Sequence, residues 1–336
     1  MKNNRLTLAA RPGEFIKKSD FKMETVELRP LKEGEFLIKT LFLSVAPVMK
    51  FYMLDGAGIE NPMQIGDTMR GRGVGEVVES RHSDFQIGDI VQGKHGWQEY
   101  VICDGSPYYM MYKVGQRGLP YSTALGVLGM TGFTSYFGLY KVGEMRKGDN
   151  VLVSAASGGV GSNIGHLTNI KGGRAVGLAS TDEKCKLLTE KLGYSHAINY
   201  TKENVSERID DCFPEGIDVY FDNVGGEILD IALTKLKRYA RVVLCGRISQ
   251  YADRENAVYH LKNWHKVGAT RSKMEGFFIY DFEKDFQKAE TDMAQWIKEG
   301  KLTYQEDILE GLDHMPIALN RLFERKNVGK QLVKIS

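Results

Sequence analysis

The spacing of hydrophobic and polar positions changes along this chain near residue 120. Before that point, short apolar runs such as residues 35–43, 73–79 and 89–92 are separated by Gly, Pro and Asp, a pattern typical of β-strands joined by turns. After it, short apolar strands alternate with helical stretches of about ten residues. This alternation predicts a doubly wound parallel sheet with right-handed crossovers, so the chain is of the α/β class with a mainly β first part.

The second part begins at about Tyr121, and five strands are predicted in it, at residues 151–155, 175–179, 197–200, 219–222 and 241–246. A helix is predicted at 182–192, which Ser180 or Thr181 can cap, with Glu183 completing a capping box from Ser180. Aromatic and apolar residues recur at helical spacing from 282 to 297, and Gly300 ends that helix. Such an aromatic stripe is typical of a buried core.

Composition narrows the possible classes of protein. The 336 residues suggest two domains, and 45 Lys and Arg against 43 Asp and Glu leave a net charge of +2. That balance argues against a nucleic-acid surface or a polybasic membrane anchor. No apolar run approaches the roughly 20 residues that span a bilayer, and residues 6–10 are too short for a secretory signal. We therefore expect a cytoplasmic protein with no nucleic-acid or membrane partner.

Cysteine and histidine spacing gives no sign of a metal site. The four cysteines, Cys103, Cys185, Cys212 and Cys245, form no C-x-x-C pair, and the seven histidines form no H-E-x-x-H pattern. We expect neither a disulfide framework nor a bound metal.

Two glycine-rich segments differ in what they predict. Glycines at 71, 73 and 75 lie within a predicted strand, where they favour curvature or a close backbone approach over a ligand. The segment AASGGVG at 155–161 directly follows a strand and opens a helix. There Gly158 lets the backbone approach a pyrophosphate, Gly161 lets helix and strand pack closely, and Ala156 replaces the first glycine of the dinucleotide fingerprint. A tight turn without a ligand is the alternative.

The end of the second strand predicts which dinucleotide binds. An NAD site usually places an acid there for the ribose 2′-hydroxyl, whereas this strand ends in Ala179 and Ser180. Lys184 lies one turn into the next helix, where its charge can meet a 2′-phosphate. Asp182 and Glu183 are explained as first-turn helix residues. NADP(H) is the predicted cofactor.

Six segments in order resemble one family. They are LGMTGFTSY at 128–136, AASGGVG at 155–161, YFDNVGG at 220–226, CGRISQY at 245–251, MEGF at 274–277 and NVGK at 327–330. Together they resemble the zinc-independent medium-chain dehydrogenase/reductases, in the leukotriene B4 12-hydroxydehydrogenase / prostaglandin reductase branch, which includes curcumin reductase and alkenal double-bond reductases. The resemblance covers nearly the whole chain.

That resemblance implies an architecture and a reaction. Residues 1–123 with 301–336 would form a partly open, GroES-like β-barrel domain, and 124–300 a Rossmann NADP-binding domain. The implied reaction is NADPH-dependent, metal-free reduction of the carbon–carbon double bond of an α,β-unsaturated ketone or aldehyde, with hydride delivered to the β-carbon. A homodimer is also implied.

The resemblance also implies cofactor contacts at particular residues. The pyrophosphate would lie on Gly158, Gly159, Val160 and Gly161, and the 2′-phosphate on Lys184 and Tyr200. The remaining implied contacts are Asn223, Cys245, Gly246, Ile248, Ser249, Tyr251, Phe277, Phe278, Ile279, Asn327, Met130 and Thr134.

Plainer interpretations stay open for several of these residues. Tyr200 could be an aromatic strand residue, Asn223 could serve only a turn, and Tyr251 could be an exposed loop residue. Cys245 is interpreted as a packing residue, because nothing in the sequence suggests a lowered thiol pKa.

The enolate left by hydride transfer needs a hydrogen-bond donor at its oxygen. Tyr251 and Tyr52 are the candidate catalytic donors. The family's tyrosine-containing motif in the first domain is replaced here by Ala-Pro-Val-Met-Lys at 46–50, which leaves the substrate open. A quinone oxidoreductase and a non-catalytic NADPH-binding sensor are the rival hypotheses.

Overall fold

In the computed structural model, which describes residues 1–13, 15–54, 61–115, 118–250 and 259–336, the chain divides into two compact units. Unit 1 comprises residues 1–126, 306–327 and 331–336, and unit 2 comprises 127–305 and 328–330. The predicted division, 1–123 with 301–336 against 124–300, differs by a few residues at each boundary. The larger difference is that residues 328–330 group with unit 2.

Unit 1 is built mainly from antiparallel strands, as the turn-separated apolar runs predict. Its elements are β1 (Lys2–Leu8), β2 (Phe21–Glu27), β3 (Phe36–Ser44), α1 (Met49–Tyr52), β4 (Arg72–Ser80), β5 (Ile90–Lys94), β6 (Tyr100–Cys103), β7 (Tyr112–Lys113), β14 (Glu306–Glu310), α9 (Met315–Phe323) and β15 (Lys330–Lys334). Short 3₁₀ turns lie at Lys18–Asp20, Tyr121–Leu125 and Leu312–His314.

Strand β3 organises the larger sheet of unit 1. The sheet runs in the order β14-β15-β3-β4-β5-β7, while β1 and β2 form a separate antiparallel pair. Along one edge β3 pairs with β4; along the other, its first half pairs with β6 and its second half with β15. The C-terminal strand is therefore an integral part of a sheet whose other strands come mostly from the first 113 residues.

The glycines at 71, 73 and 75 make room for aromatic side chains. A Cβ atom at Gly73 would lie 2.7 Å from the His95 ring, and one at Gly71 would lie 2.9 Å from the Trp97 ring. At Gly75 a Cβ would approach the Lys39 carbonyl to 2.4 Å. The predicted close approach is confirmed at Gly75, but at the other two positions the approaching group is a ring from the neighbouring segment.

Unit 2 alternates strands and helices as predicted. Its elements are α2 (Met130–Phe137), β8 (Asn150–Val153), α3 (Gly161–Ile170), β9 (Arg174–Ala179), α4 (Asp182–Lys191), β10 (His196–Asn199), α5 (Val205–Cys212), β11 (Ile217–Asp222), α6 (Gly226–Leu233), β12 (Leu236–Leu244), α7 (His265–Thr270), β13 (Lys273–Gly276) and α8 (Phe286–Lys298). A π-helical turn at Gly138–Val142 extends α2, and 3₁₀ turns lie at Ile248–Gln250 and Ile279–Asp285.

The sheet of unit 2 is parallel, in the order β10-β9-β8-β11-β12-β13. The predicted α/β fold class, with a doubly wound parallel sheet in one unit and antiparallel strands in the other, is confirmed. Strand β13 was not predicted, because Lys-Met-Glu-Gly has no apolar alternation; it lies at an edge where polar side chains are tolerated. Strand β12 begins five residues before its predicted start and ends before Cys245 and Gly246.

The sequence predicts how α4 begins and where α8 ends, and the structure tests both predictions. Thr181 caps α4, accepting a hydrogen bond at its Oγ1 from the Lys184 backbone N–H at 3.2 Å. The predicted capping box from Ser180 is therefore wrong. Helix α8 ends just before Gly300, whose φ is +69°, as predicted.

The aromatic stripe between residues 282 and 297 belongs to the core of unit 2, as predicted. Phe282 stacks on Phe137 with 4.9 Å between ring centroids, and Phe286 stacks on Phe133 at 4.8 Å. Met293 on α8 is fully buried. No helix among the described residues is long and apolar enough to cross a membrane.

Candidate functional site

The candidate site lies at the carboxyl edge of the parallel sheet in unit 2. From β8 the chain runs outward through β9 and β10, and then returns to the other side of β8 through β11, β12 and β13. The direction of winding thus reverses between β8 and β11, which is where open α/β sheets bind ligands. The segments that follow β8, β9, β11 and β12 all meet at this edge.

The glycine loop after β8 has the close packing that the fingerprint requires. A Cβ at Gly161 would lie 2.5 Å from the Ala155 carbonyl oxygen and 2.6 Å from the Ala156 Cα, so only glycine fits there. A Cβ at Gly158 would approach the Ala155 oxygen to 3.2 Å and no other atom within 4 Å. Helix α3 begins at Gly161, so the positive end of its dipole lies at this loop and favours a phosphate there. Within the loop, the Ser162 N–H donates to the Gly158 carbonyl at 2.9 Å and the Asn163 N–H donates to the Val160 carbonyl at 3.2 Å.

Ala156 occupies the position of the first fingerprint glycine because a neighbouring strand leaves space for its methyl group. A Cβ at Gly177, on β9, would lie 2.7 Å from the Ala156 Cβ. Ala155, just before it, has a φ of +47°, a left-handed conformation that a non-glycine residue adopts at a cost. The loop therefore keeps the dinucleotide shape with the glycine moved to an adjacent strand.

Helices α2 and α3 hold the loop from behind. The Ser135 hydroxyl donates to the Val160 carbonyl at 2.8 Å, and the Asn163 side-chain amide donates to the Gly159 carbonyl at 3.0 Å. Both side chains are buried. Sequence reasoning missed them, although Ser135 lies within one of the six family segments.

Residues 328–330 run beside the glycine loop. The Gly329 N–H donates to the Ser157 carbonyl at 2.7 Å, and Gly329 forms a parallel bridge with Gly158. Gly329 has a φ of +73°, and a Cβ there would lie 2.1 Å from the Gln305 carbonyl oxygen. Glycine is therefore required in this NVGK segment, which begins at Asn327.

Asp222, at the end of β11, connects the strand ends on this edge. Its buried carboxylate accepts hydrogen bonds from the Tyr220 hydroxyl at 2.8 Å, from the Ser154 hydroxyl at 3.0 Å and from the Gly225 N–H at 3.0 Å. Burial raises the pKa of the Asp222 carboxyl, while the N–H donors act in the opposite direction. The sequence analysis did not single out this residue.

Asn223 is fixed by the end of β8. Its side-chain amide donates to the Ser154 carbonyl at 2.8 Å, and its backbone N–H donates to the Ser154 hydroxyl at 2.8 Å. The turn that follows has two glycines with positive φ, Gly225 and Gly226. Asn223 therefore has a turn role, and it also lies at the ligand-binding edge.

The segment after β12 is attached to that same turn. The backbone N–H groups of Cys245 and Gly246 donate to the Asp222 carbonyl at 2.9 and 3.0 Å. Further along, the Ile248 N–H donates to the Asn223 carbonyl, and the Ser249 hydroxyl donates to the Val224 carbonyl at 2.6 Å. The structure thus brings Asn223 and residues 245–249 together.

The candidates Cys245 and Tyr251 have different outcomes. Burial raises the pKa of the Cys245 thiol to about 12, which favours its interpretation as a packing residue. Tyr251, the first candidate donor, lies outside the described residues.

Lys184 and Tyr200 follow adjacent strands, β9 and β10. Lys184 is half-buried in the first turn of α4. Tyr200 follows β10 directly, and its N–H donates to the Ala179 carbonyl at 3.1 Å. Its ring is partly buried against the core of unit 2, so it has a packing role, although it follows the strand rather than lying in it as the plainer interpretation expected.

The other predicted cofactor residues lie in several elements. Met130 begins α2, where its carbonyl accepts a hydrogen bond from the Thr134 hydroxyl at 2.6 Å. Residues 277–279 follow β13; the Phe277 ring packs toward Phe282, whereas Phe278 is exposed. Asn327 and the second candidate donor, Tyr52, belong to unit 1.

Tyr52 is the last residue of α1 and is half-buried. The Arg70 guanidinium lies 5.8 Å from its ring centroid.

No group of three or more His, Cys, Asp or Glu that could hold a metal ion occurs in the described part of the chain. The glycine loop, the dipole at the start of α3 and the joined strand ends fit a dinucleotide.

Comparison with known proteins agrees with this geometry. Residues 4–111 match the family model described as the N-terminal domain of oxidoreductase, and residues 159–297 match the one described as zinc-binding dehydrogenase. Prostaglandin reductase 1 of Bos taurus is 39% identical over 94% of this chain and 94% of its own length. The NADP⁺-dependent 2-alkenal reductase of Nicotiana tabacum is 38% identical, over 96% and 94%.

Among solved structures, CurA from Vibrio vulnificus in complex with NADPH aligns over 99% of both chains, with a TM-score of 0.92 and 34% sequence identity.

Proposed function

Because the chain belongs to the medium-chain dehydrogenase/reductase family, in the branch that contains prostaglandin reductase and 2-alkenal reductase, we propose that it reduces the carbon–carbon double bond of α,β-unsaturated ketones and aldehydes with NADPH. The observation that carries the proposal is the dinucleotide loop after β8, combined with a β9 that ends without an acid. The relatives named for alkenal and prostaglandin reduction supply the class of acceptor.

We assign the cofactor contacts as follows. Gly158, Gly159, Val160 and Gly161 hold the pyrophosphate, and Lys184 and Tyr200 bind the 2′-phosphate. The positive end of the α3 dipole and the Lys184 charge support these two assignments. The remaining assigned contacts are Met130, Thr134, Asn223, Cys245, Gly246, Ile248, Ser249, Phe277, Phe278, Ile279 and Asn327.

Bound NADPH supplies the hydride, and the protein must hold the oxygen that becomes negatively charged. A tyrosine hydroxyl suits this task, because a phenol of pKa near 10 donates a hydrogen bond at neutral pH while keeping its proton. We assign this role to Tyr251, with Tyr52 as the second candidate. Protonation of the α-carbon completes the reduction.

A panel of acceptors tests the proposal. NADPH oxidation is measured with a simple enone, with an alkenal, with a quinone and with no acceptor, and each assay is repeated with NADH and in the presence of EDTA. We expect turnover with the enone and alkenal, a preference for NADPH, and no effect of the chelator. Faster turnover with the quinone would favour the rival oxidoreductase, and binding of NADPH without turnover would favour the sensor.

We further propose that the protein is a cytoplasmic homodimer. An open sheet edge supports the assembly: β13 pairs with β12 in the described residues and carries Met274, whose side chain is 37% exposed. Two copies of β13 can pair across a twofold axis. Light scattering at the monomer mass would contradict this assembly.

A further inference from the structure

Asp182 is the first acidic residue after β9, close in sequence to the residues proposed to bind the 2′-phosphate. It is the first residue of α4 and follows β9 by three positions. In dinucleotide folds, an acid roughly 20 residues beyond the glycine motif binds the ribose 2′-hydroxyl and repels a 2′-phosphate. The sequence places Asp182 near that position but does not say where its carboxylate is held.

In the structure, both oxygens of this carboxylate are bound by residues at the end of β10. Oδ1 accepts a hydrogen bond from the Asn199 side-chain amide at 2.5 Å. Oδ2 accepts one from the Lys202 ammonium at 2.5 Å. These bonds lower the pKa of Asp182 and raise that of Lys202, so the pair is ionised at neutral pH.

Asn199 is well placed to fix the direction of the carboxylate. Asn199 is buried, and its register partner across the strand pair is Ala179, the last residue of β9. Its Oδ1 accepts from the Thr201 N–H at 3.1 Å and from the Thr201 hydroxyl at 2.8 Å. Since the amide oxygen is used in this way, the amide N–H groups must face Asp182.

We propose that Asn199 and Lys202 sequester the Asp182 carboxylate, and that Lys202 is thereby a determinant of coenzyme selectivity. Held by these two donors, the carboxylate has its negative charge balanced by the Lys202 ammonium, and its oxygens cannot turn toward the ribose. Without Lys202, its charge repels the 2′-phosphate of NADPH, and its oxygens become available to the ribose 2′-hydroxyl of NADH. This inference rests on the proposed NADPH-dependent function.

The effect must be modest, because the pair is accessible to water. The side chains of Lys202 and Asp182 are 65% and 60% exposed, and charges in such positions are screened. Glu183 is a second acid on the same turn of α4. The experiment must therefore distinguish the loss of one positive charge at Lys202 from the freeing of the Asp182 carboxylate.

The experiment compares dissociation constants of NADPH and NADH, measured by fluorescence titration at two salt concentrations. The variants are Lys202→Ala, Lys202→Arg and the double variants Lys202→Ala/Asp182→Asn and Lys202→Ala/Glu183→Gln. Lys186→Ala is the matched control, because Lys186 lies on α4 together with Asp182 and pairs with Glu190 at 3.7 Å in a similarly exposed position. Thermal midpoints are recorded for every variant.

We expect Lys202→Ala to weaken NADPH binding about two- to fivefold, the range for exposed charge pairs, and to leave NADH binding unchanged or slightly tighter. The arginine variant and the Asp182→Asn double variant should restore the preference for NADPH, whereas the Glu183→Gln double variant should not. The loss should diminish at high salt.

Three results would overturn the inference: equal losses for both coenzymes, a change no larger than that of Lys186→Ala, or a double variant with Asp182→Asn that stays as weak as the single one. The last result would mean that Lys202 itself binds the phosphate. A wild-type protein that prefers NADH would instead refute the proposed function, so the two failures are distinguishable.

Discussion

His95 should make unit 1 sensitive to acid. Its side chain is fully buried, with Nδ1 3.1 Å from the Thr40 hydroxyl and the ring against Gly73 and Gly75. Burial lowers the pKa of His95 to about 3, and the nearby Arg72 charge adds to this effect. The unfolded chain, in contrast, protonates this histidine near its ordinary pKa of about 6.5.

The direction of the effect follows from proton binding. Below pH 6.5 the unfolded state takes up a proton that the folded state excludes until about pH 3, so the free energy of unfolding falls as the pH decreases between these values. Each pH unit in this range costs about 1.4 kcal/mol, which amounts to about 2 kcal/mol between pH 6.5 and pH 5.

We predict that His95→Asn removes this part of the pH dependence. The asparagine amide can still meet Thr40 but does not titrate, and the general loss from the smaller side chain is the same at both pH values. Urea unfolding is measured at pH 7 and pH 5 for wild type, for His95→Asn and for His260→Asn, which replaces an exposed histidine as a control. Equal decreases in wild type and His95→Asn would refute the reasoning.

Three further predictions concern the nucleotide site. Lys184→Ala should weaken NADPH binding roughly 10- to 150-fold and spare NADH, because it removes a charged hydrogen bond worth about 1.5–3 kcal/mol; equal losses in a titration would show that Lys184 supports the fold or the pyrophosphate. Tyr251→Phe should lower turnover on enones by up to about 10²–10³ with little change in the KM for NADPH, and an unchanged turnover would transfer the role to Tyr52 or to water. Ala155→Gly should raise the thermal midpoint, because relief of the left-handed strain, about 1–2 kcal/mol, exceeds the entropy cost of glycine; a lower midpoint would contradict this.

The parts of the fold that were predictable are those in which one short segment carries its own signal. The apolar strand, glycine loop and helix around residues 151–170 are an example, since their shape is dictated by local packing at Gly161. Strand β13 has no such signal, because its pairing with β12 is defined by a neighbour rather than by its own side chains.

In the candidate site, too, only the part formed by one short segment could be predicted from the sequence. The glycine loop was recognisable, but the residues that hold it, Ser135 and Asn163, act across helices that only the fold brings together. Asp222 is similar, because a single aspartate at a strand end does not reveal that its carboxylate accepts hydrogen bonds from Ser154, just after β8, from Tyr220 in β11 and from the following turn.

The pairing of β15 with β3 has a consequence for synthesis of the chain. Leu332, in β15, lies opposite Ser44, and Leu332 and Val333 are fully buried, yet they leave the ribosome nearly three hundred residues after β3. At about 5–20 residues per second, the second half of β3 waits on the order of 15–60 s for its partner. During that interval it presents an unpaired strand edge, while the whole of β8–β13 is already available to form its sheet. The parallel sheet of unit 2 can therefore form during translation, whereas the sheet of unit 1, although most of its strands are made first, can be completed only last.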